Sequence, residues 1–189
     1  MFIQTESTPN PQTLKFLPGR TVMGEGAVAD FPDKASAQRS PLAAALFDLD
    51  AVSRVFYGAD FISVTKDGAE WQHLKPAILA AIMDHFTRDL PLMTGGADER
   101  DDDAEPLYSG EDAEIVDQIK ELIETRVRPA VAGDGGDIVF KRFDPPSGVV
   151  YLHLRGSCAG CPSSTITLKN GIENMLRHFV PEVNAVEAI

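Results

Sequence analysis

The chain has 189 residues, 43% of them apolar and 24% charged, an ordinary globular composition that excludes wholesale disorder. Lys and Arg number 17 against 29 Asp and Glu, a formal net charge of −12. Such acidity argues against a nucleic-acid binder and against attachment to an anionic membrane surface, because no basic footprint exists to displace counterions.

The first 90 residues predict strands over 2–6 and 13–17, parted by Thr8-Pro9-Asn10-Pro11, where two prolines deny ladder donors. A further short strand is expected near 24–31. Ser40-Pro41 opens a short helix, Ser as the N-cap and Pro pre-shaped for the first helical position. A hairpin follows over 52–57 and 60–65, with Gly58 expected in a two-residue turn. Leu74, Ile78, Ile82 and Phe86 then recur every four residues, with Leu79 and Met83 beside them, as one face of an amphipathic helix.

The longest apolar run, 77–83, is far short of the roughly 20 residues that a bilayer demands. The first 30 residues carry Glu6, Glu25 and Asp30 against Lys15 and Arg20, which is not the composition of a secretory or transit leader. The expectation is a soluble cytoplasmic protein whose thiols stay reduced.

Charge divides the chain. Residues 1–90 sum to −3 and residues 111–189 to −4, whereas the 20 residues between them sum to −5. That middle stretch sets Arg100 against Asp98, Glu99, Asp101, Asp102, Asp103 and Glu105, with Pro91, Gly95, Gly96 and Pro106 and no apolar period. Self-repelling carboxylates with no face to bury predict a flexible acidic linker over 91–109, with a reach of about 25 Å. It separates a domain at 1–90 from one at 110–189.

In the second domain Ser109 is expected to cap a helix whose first turn holds Glu111, Asp112 and Glu114, favourable to the dipole. Ile115, Val116, Ile119, Leu122, Ile123 and Val127 supply its buried face, and Pro129 and Gly133 mark its end. Gly133-Asp134-Gly135-Gly136-Asp137 predicts a turn, with three glycines free to take positive φ. Strands over 138–143 and 149–155 come next, then a helix burying Leu168, Ile172, Met175, Leu176 and Phe179, then a short strand near 183–186. The whole is an α+β protein: two small α/β sandwich domains joined by an acidic linker, the second ordered α-β-β-α(β).

The chemistry sits in Gly156-Ser157-Cys158-Ala159-Gly160-Cys161-Pro162, between a strand end and a helix start. Free backbone N–H groups and the positive dipole end there are expected to lower the pKa of both thiols. A pair of buried or incidental cysteines is the plainest reading, disfavoured by glycines flanking a Cys-x-x-Cys at a helix start. A dithiol–disulfide oxidoreductase also uses this placement, but no βαβ pattern precedes the motif here. Structural zinc and iron–sulfur sites both call for four ligands, and the chain has two cysteines. His73, His85, His153 and His178 do not fall at ligand spacing; His85 and His178 lie near helix C-termini, where a partly cationic ring is favoured. Asp134 and Asp137 are assigned to turn and capping duty. Two chains about a two-fold axis supply four thiolates, so an all-cysteine metal site must bridge a dimer.

These residues also carry a resemblance. The second domain resembles the NifU-like C-terminal domain of Nfu-type iron–sulfur proteins through Arg128-Pro129, Asp134-Gly135-Gly136-Asp137-Ile138, the cysteine loop continued by Ser163-Ser164, Thr167-Leu168-Lys169-Asn170-Gly171-Ile172-Glu173, and Val180-Pro181-Glu182-Val183. The first domain is similar to the N-terminal domain of the same family through Thr8-Pro9-Asn10-Pro11, Leu14-Lys15-Phe16, Ser40-Pro41-Leu42, Asp60-Phe61-Ile62 and Leu74-Lys75-Pro76. One departure is Ala51, where glycine is expected before the hairpin. The resemblance implies a non-enzymatic scaffold or carrier. Its expected cargo is a labile 4Fe–4S cluster, with 2Fe–2S allowed, held by Cys158 and Cys161 of each of two chains. The implied partners are a second copy when loaded, apo iron–sulfur recipients and upstream assembly proteins, with no nucleic acid and no membrane.

Overall fold

The computed structural model describes residues 1–95, 106–160 and 162–189, and of 162–164 the backbone alone. Most of the predicted linker, at 96–105, lies outside these residues. The chain divides into two compact units, Met1–Glu99 and Arg100–Ile189. No helix among the described residues is long and apolar enough to cross a membrane.

The first unit is a five-stranded sheet, β1 (Gln4–Ser7), β2 (Thr13–Leu17), β3 (Ala29–Phe31), β4 (Val52–Tyr57) and β5 (Ile62–Lys66), ordered β1-β2-β5-β4-β3. Every neighbouring pair is antiparallel. Helices α1 (Pro41–Phe47) and α2 (Trp71–Thr87) share its core, in which Phe16, Phe31, Leu42, Leu46, Ile62, Ile78 and Ile82 are fully buried. The four-residue stripe of α2 therefore faces inward as its period requires, although Met83 stays 43% exposed. Ser40 caps α1: its Oγ accepts from the Ala43 N–H at 3.2 Å and shares a hydrogen bond with the buried Tyr57 hydroxyl at 2.8 Å.

The hairpin turn differs from expectation. Tyr57 pairs with Ile62, so the connection holds four residues, closed by the Gly58 N–H donating to the Phe61 carbonyl at 2.9 Å. Gly58 is required because a Cβ there would collide with the Phe61 ring. His85 is corrected too: it is only 4% exposed, Nε2 has no hydrogen-bond partner among the described residues, and burial lowers its pKa, so the ring is neutral.

The second unit opens with α3 (Glu111–Leu122), a π turn (Ile123–Val127) and α4 (Arg128–Gly133). One continuous helix was the simpler expectation. Pro129 lacks an N–H and its ring crowds the carbonyl four residues back, and the turn before it widens so that Arg128 N–H bonds Ile123 O. Gly110, at φ 63°, occupies the N-cap in place of Ser109. Strands β6 (Gly136–Asp144), β7 (Val149–Gly156) and β8 (Ala185–Ala188) form a sheet ordered β6-β7-β8, the last pair parallel. Helix α5 (Pro162–Phe179) connects them, burying Ile172 and Leu176. Phe179 is 45% exposed, against expectation, and Val180 takes the buried place. Tyr108 binds the outer edge of β6, its hydroxyl donating to the Phe143 carbonyl at 2.8 Å and accepting from the Phe143 N–H at 2.7 Å.

Ala51 has φ 79°, a left-handed conformation that penalises a Cβ. Ala51→Gly is expected to stabilise the first unit by about 0.5–1 kcal/mol, the relief of strain exceeding the added chain entropy. Urea denaturation of the two proteins measures this, and an unchanged or lower midpoint contradicts it.

Candidate metal centre

The site lies where β6 begins and β7 ends, with Gly136 paired to Gly156 and Asp137 to Arg155. The glycine-rich turn works differently at each position. Gly133 closes α4, Gly135 takes φ 83°, and Gly136 is already strand. A Cβ on Gly136 would stand 2.7 Å from the Arg155 carbonyl oxygen and 2.8 Å from Cys158 Sγ. Glycine is needed there for close approach.

The loop that follows is tied to this floor. Ser157 N–H donates to the Gly135 carbonyl at 3.2 Å, and Ser157 Oγ donates to the Asp134 carbonyl. Ala159 N–H reaches the Gly156 carbonyl at 3.1 Å, and Thr165 Oγ1, in α5, donates to the Cys158 carbonyl at 3.1 Å. Both sides of Cys158 are thus anchored through backbone groups.

Cys158 is 7% exposed and packs with the core of its unit, so it does not stand out on an exposed loop. Burial pushes its thiol up to about 11; Ser157 opposes this through its hydroxyl, and the Asp134 and Asp137 carboxylates add to it. The expected depression by the helix start is therefore reversed for Cys158: Sγ points into the core, and desolvation outweighs the dipole. Cys161 lies outside the described residues.

Asp137 is corrected from a turn residue to one half of an ion pair. Arg128 grips it with two hydrogen bonds, Nε to Oδ1 at 2.8 Å and Nη2 to Oδ2 at 3.1 Å. The same guanidinium reaches both Glu124 oxygens at 3.0 Å through Nη1. Asp137 is buried, and its side chain is only 6% exposed. Asp134 keeps its capping place, its N–H bonding the Ala130 carbonyl at the end of α4. The Arg128–Asp137 pair was not legible, since it joins residues nine apart across α4 and the glycine turn, where no local period records the contact. Among the described residues no group of three or more His, Cys, Asp or Glu side chains is placed to hold a metal ion.

Two families match the chain: "Scaffold protein Nfu/NifU N terminal" over residues 3–89 and "NifU-like domain" over residues 119–187. "NifU-like protein 4, mitochondrial" of Arabidopsis thaliana is 53% identical over 188 residues, covering 99% of this chain and 65% of that protein. "NFU1 iron-sulfur cluster scaffold homolog, mitochondrial" of Homo sapiens is 52% identical over 191 residues, covering 100% of this chain and 72% of the relative. The chain thus spans just under two thirds of the first of these relatives. The solution structure of a NifU-like protein from Saccharomyces cerevisiae is similar at a TM-score of 0.45 and 26% identity, over 51% of this chain and 87% of that one. The expectation of a cytoplasmic protein is overturned by these relatives, which are named mitochondrial. It rested on the composition of the first 30 residues, and a missing leader signature there does not specify a compartment.

Two outcomes follow from the geometry. Arg128→Met strands a buried carboxylate and should destabilise the second unit by about 3 kcal/mol, while Arg128→Met with Asp137→Leu should recover most of that loss. Chemical denaturation of both variants checks it; equal loss in the two would contradict it. The second outcome concerns pH. A thiol raised from 9 to about 11 in the folded state makes a contribution that is complete below pH 9 and lost as pH climbs through 11. The cluster-free protein should lose about 2–3 kcal/mol across that window relative to Cys158→Ala. Parallel curves for the two proteins would contradict it.

Proposed function

This chain belongs to the Nfu/NifU-like scaffold family, and on that footing we propose that it is a non-catalytic carrier of an iron–sulfur cluster shared between two copies. Its near relatives carry iron–sulfur cluster scaffold in their names. The observation that carries the reading is the poverty of the site. Cys158 stands at the end of β7 with no ligand set of three or more around it among the described residues. Cys161 is the other thiol in the sequence, and four thiolates therefore call for two chains.

The cargo in this reading is a 4Fe–4S cluster, with 2Fe–2S possible on the same four sulfurs, bound through Cys158 and Cys161 of each copy. Coordination to iron replaces the proton on sulfur, so the raised pKa of Cys158 sets a cost on loading that the metal–thiolate bond offsets. Loading releases protons and weakens as pH falls. A ligand that returns to the core on release makes the bound state easy to leave, which suits delivery to apo-proteins. Residues 1–90 form the module that meets recipients or upstream assembly proteins, and 110–189 carry the cargo.

A dithiol–disulfide oxidoreductase is less well supported. An attacking sulfur must be a thiolate near neutral pH, and Cys158, raised to about 11, is almost wholly protonated there and does not serve as one.

Anaerobic reconstitution with iron and sulfide should give a coloured protein that runs as a dimer by light scattering, with about four irons per two chains. Cys158→Ala and Cys161→Ala should each abolish stable loading, since either change deletes two of the four ligands. A loaded monomer with a full cluster, or either variant retaining full iron and sulfide, would overturn the reading.

A further inference from the structure

Helix α5 leaves the cysteine loop and buries one side through Ile172 and Leu176. Its outer side presents Ile166, Thr167, Asn170, Gly171 and Asn174, all exposed and spaced so that they share one face. None of these five is charged, in a chain of net charge −12, and the first charge on the face is Arg177, one turn beyond Asn174. Ile166, 59% exposed, is the large apolar side chain of that face. The charges that border it are tied up within the chain: Lys169 Nζ lies 3.2 Å from Glu187, and Glu173 pairs with Arg177 at 3.8 Å and accepts from the Val186 N–H at 3.1 Å.

Gly171 gives an independent sign. Glycine in mid-helix is unfavourable, and a Cβ at this position would meet nothing within 4 Å. Packing among the described residues therefore does not call for glycine, and its backbone is open to approach from outside.

We propose that this face of α5 seats the same face of a second copy, helix against helix about a two-fold axis, with Gly171 at the closest approach. The proposal rests on the shared-cluster reading. One cluster on four thiolates brings two cysteine loops together, and α5 starts at that loop, so adjoining helices continue the contact. Two acidic chains repel, and an uncharged surface is where they can meet without aligning like charges. The distance between packed helices follows the side chains at the contact, and glycine allows the shortest.

The test is the dissociation constant of the loaded full-length dimer, measured by analytical ultracentrifugation on dilution. Ile166→Glu should raise it tenfold or more and Gly171→Ala threefold or more. Gln118→Glu, which adds the same charge at an exposed position on α3, should leave it within twofold. Gly171→Ala should at the same time raise the Tm of the cluster-free protein by about 4 °C, because alanine is the better helix former, so a damaged fold cannot explain a weaker dimer. A wild-type dimer that both α5 variants leave within twofold overturns the face while the shared cluster stands. Equal weakening by Ile166→Glu and Gln118→Glu reduces the effect to net charge and also overturns the face. A loaded wild-type monomer overturns the shared cluster, and the face falls with it.

Discussion

Cys158 can lie against the first residue of β6 only because Gly136 carries no side chain there. The space that a Cβ would fill is taken by Sγ on one side and by the Arg155 carbonyl on the other. From that contact the rest of the second unit's chemistry follows. The loop between β7 and α5 folds back over the α4–β6 turn and hydrogen-bonds to it, and Cys158 is drawn among core side chains. A thiol held there is shielded from water, and shielding more than any neighbouring charge sets its reluctance to ionise.

The carboxylates under the loop would make that reluctance greater still if left alone. Arg128 answers one of them directly, its guanidinium reaching both Asp137 and Glu124 from the residue that closes the π turn. Two backbone irregularities thus lie near the sulfur: a bare glycine in contact with it, and a widened helical turn closed by the arginine that pairs with a neighbouring carboxylate. Neither contributes to a regular hydrophobic pattern.

Patterned stretches were the legible ones. The four-residue stripe of α2, the Ser40 cap, the paired strands of the second unit and the mixed helix-and-sheet character of both units follow from periodicity and local hydrogen bonding, which sequence records directly. Local signals failed where a long-range contact decides. Gly58 is explained by the ring of Phe61 and not by a turn type, and Phe179 leaves the core because Val180 occupies it. The cysteine motif was plain, but the direction of Sγ was not. A strand–loop–helix placement suggests an exposed, acidified thiol, and only the Gly136 contact shows that Cys158 faces inward. The acidic linker and Cys161 lie beyond what the described residues address.

Tyr108 bears on a different matter, the open edge of a three-stranded sheet. β6 is an edge strand of nine residues, long enough to template another strand. The Tyr108 hydroxyl occupies both the donor and the acceptor of Phe143, near the strand's far end. A visiting strand would have to evict that hydroxyl before its hydrogen bonds could run the full length of the edge. Encounters at β6 are thereby discouraged from zipping into a continuous ladder, a brake built from one phenol at the cost of no strand residue.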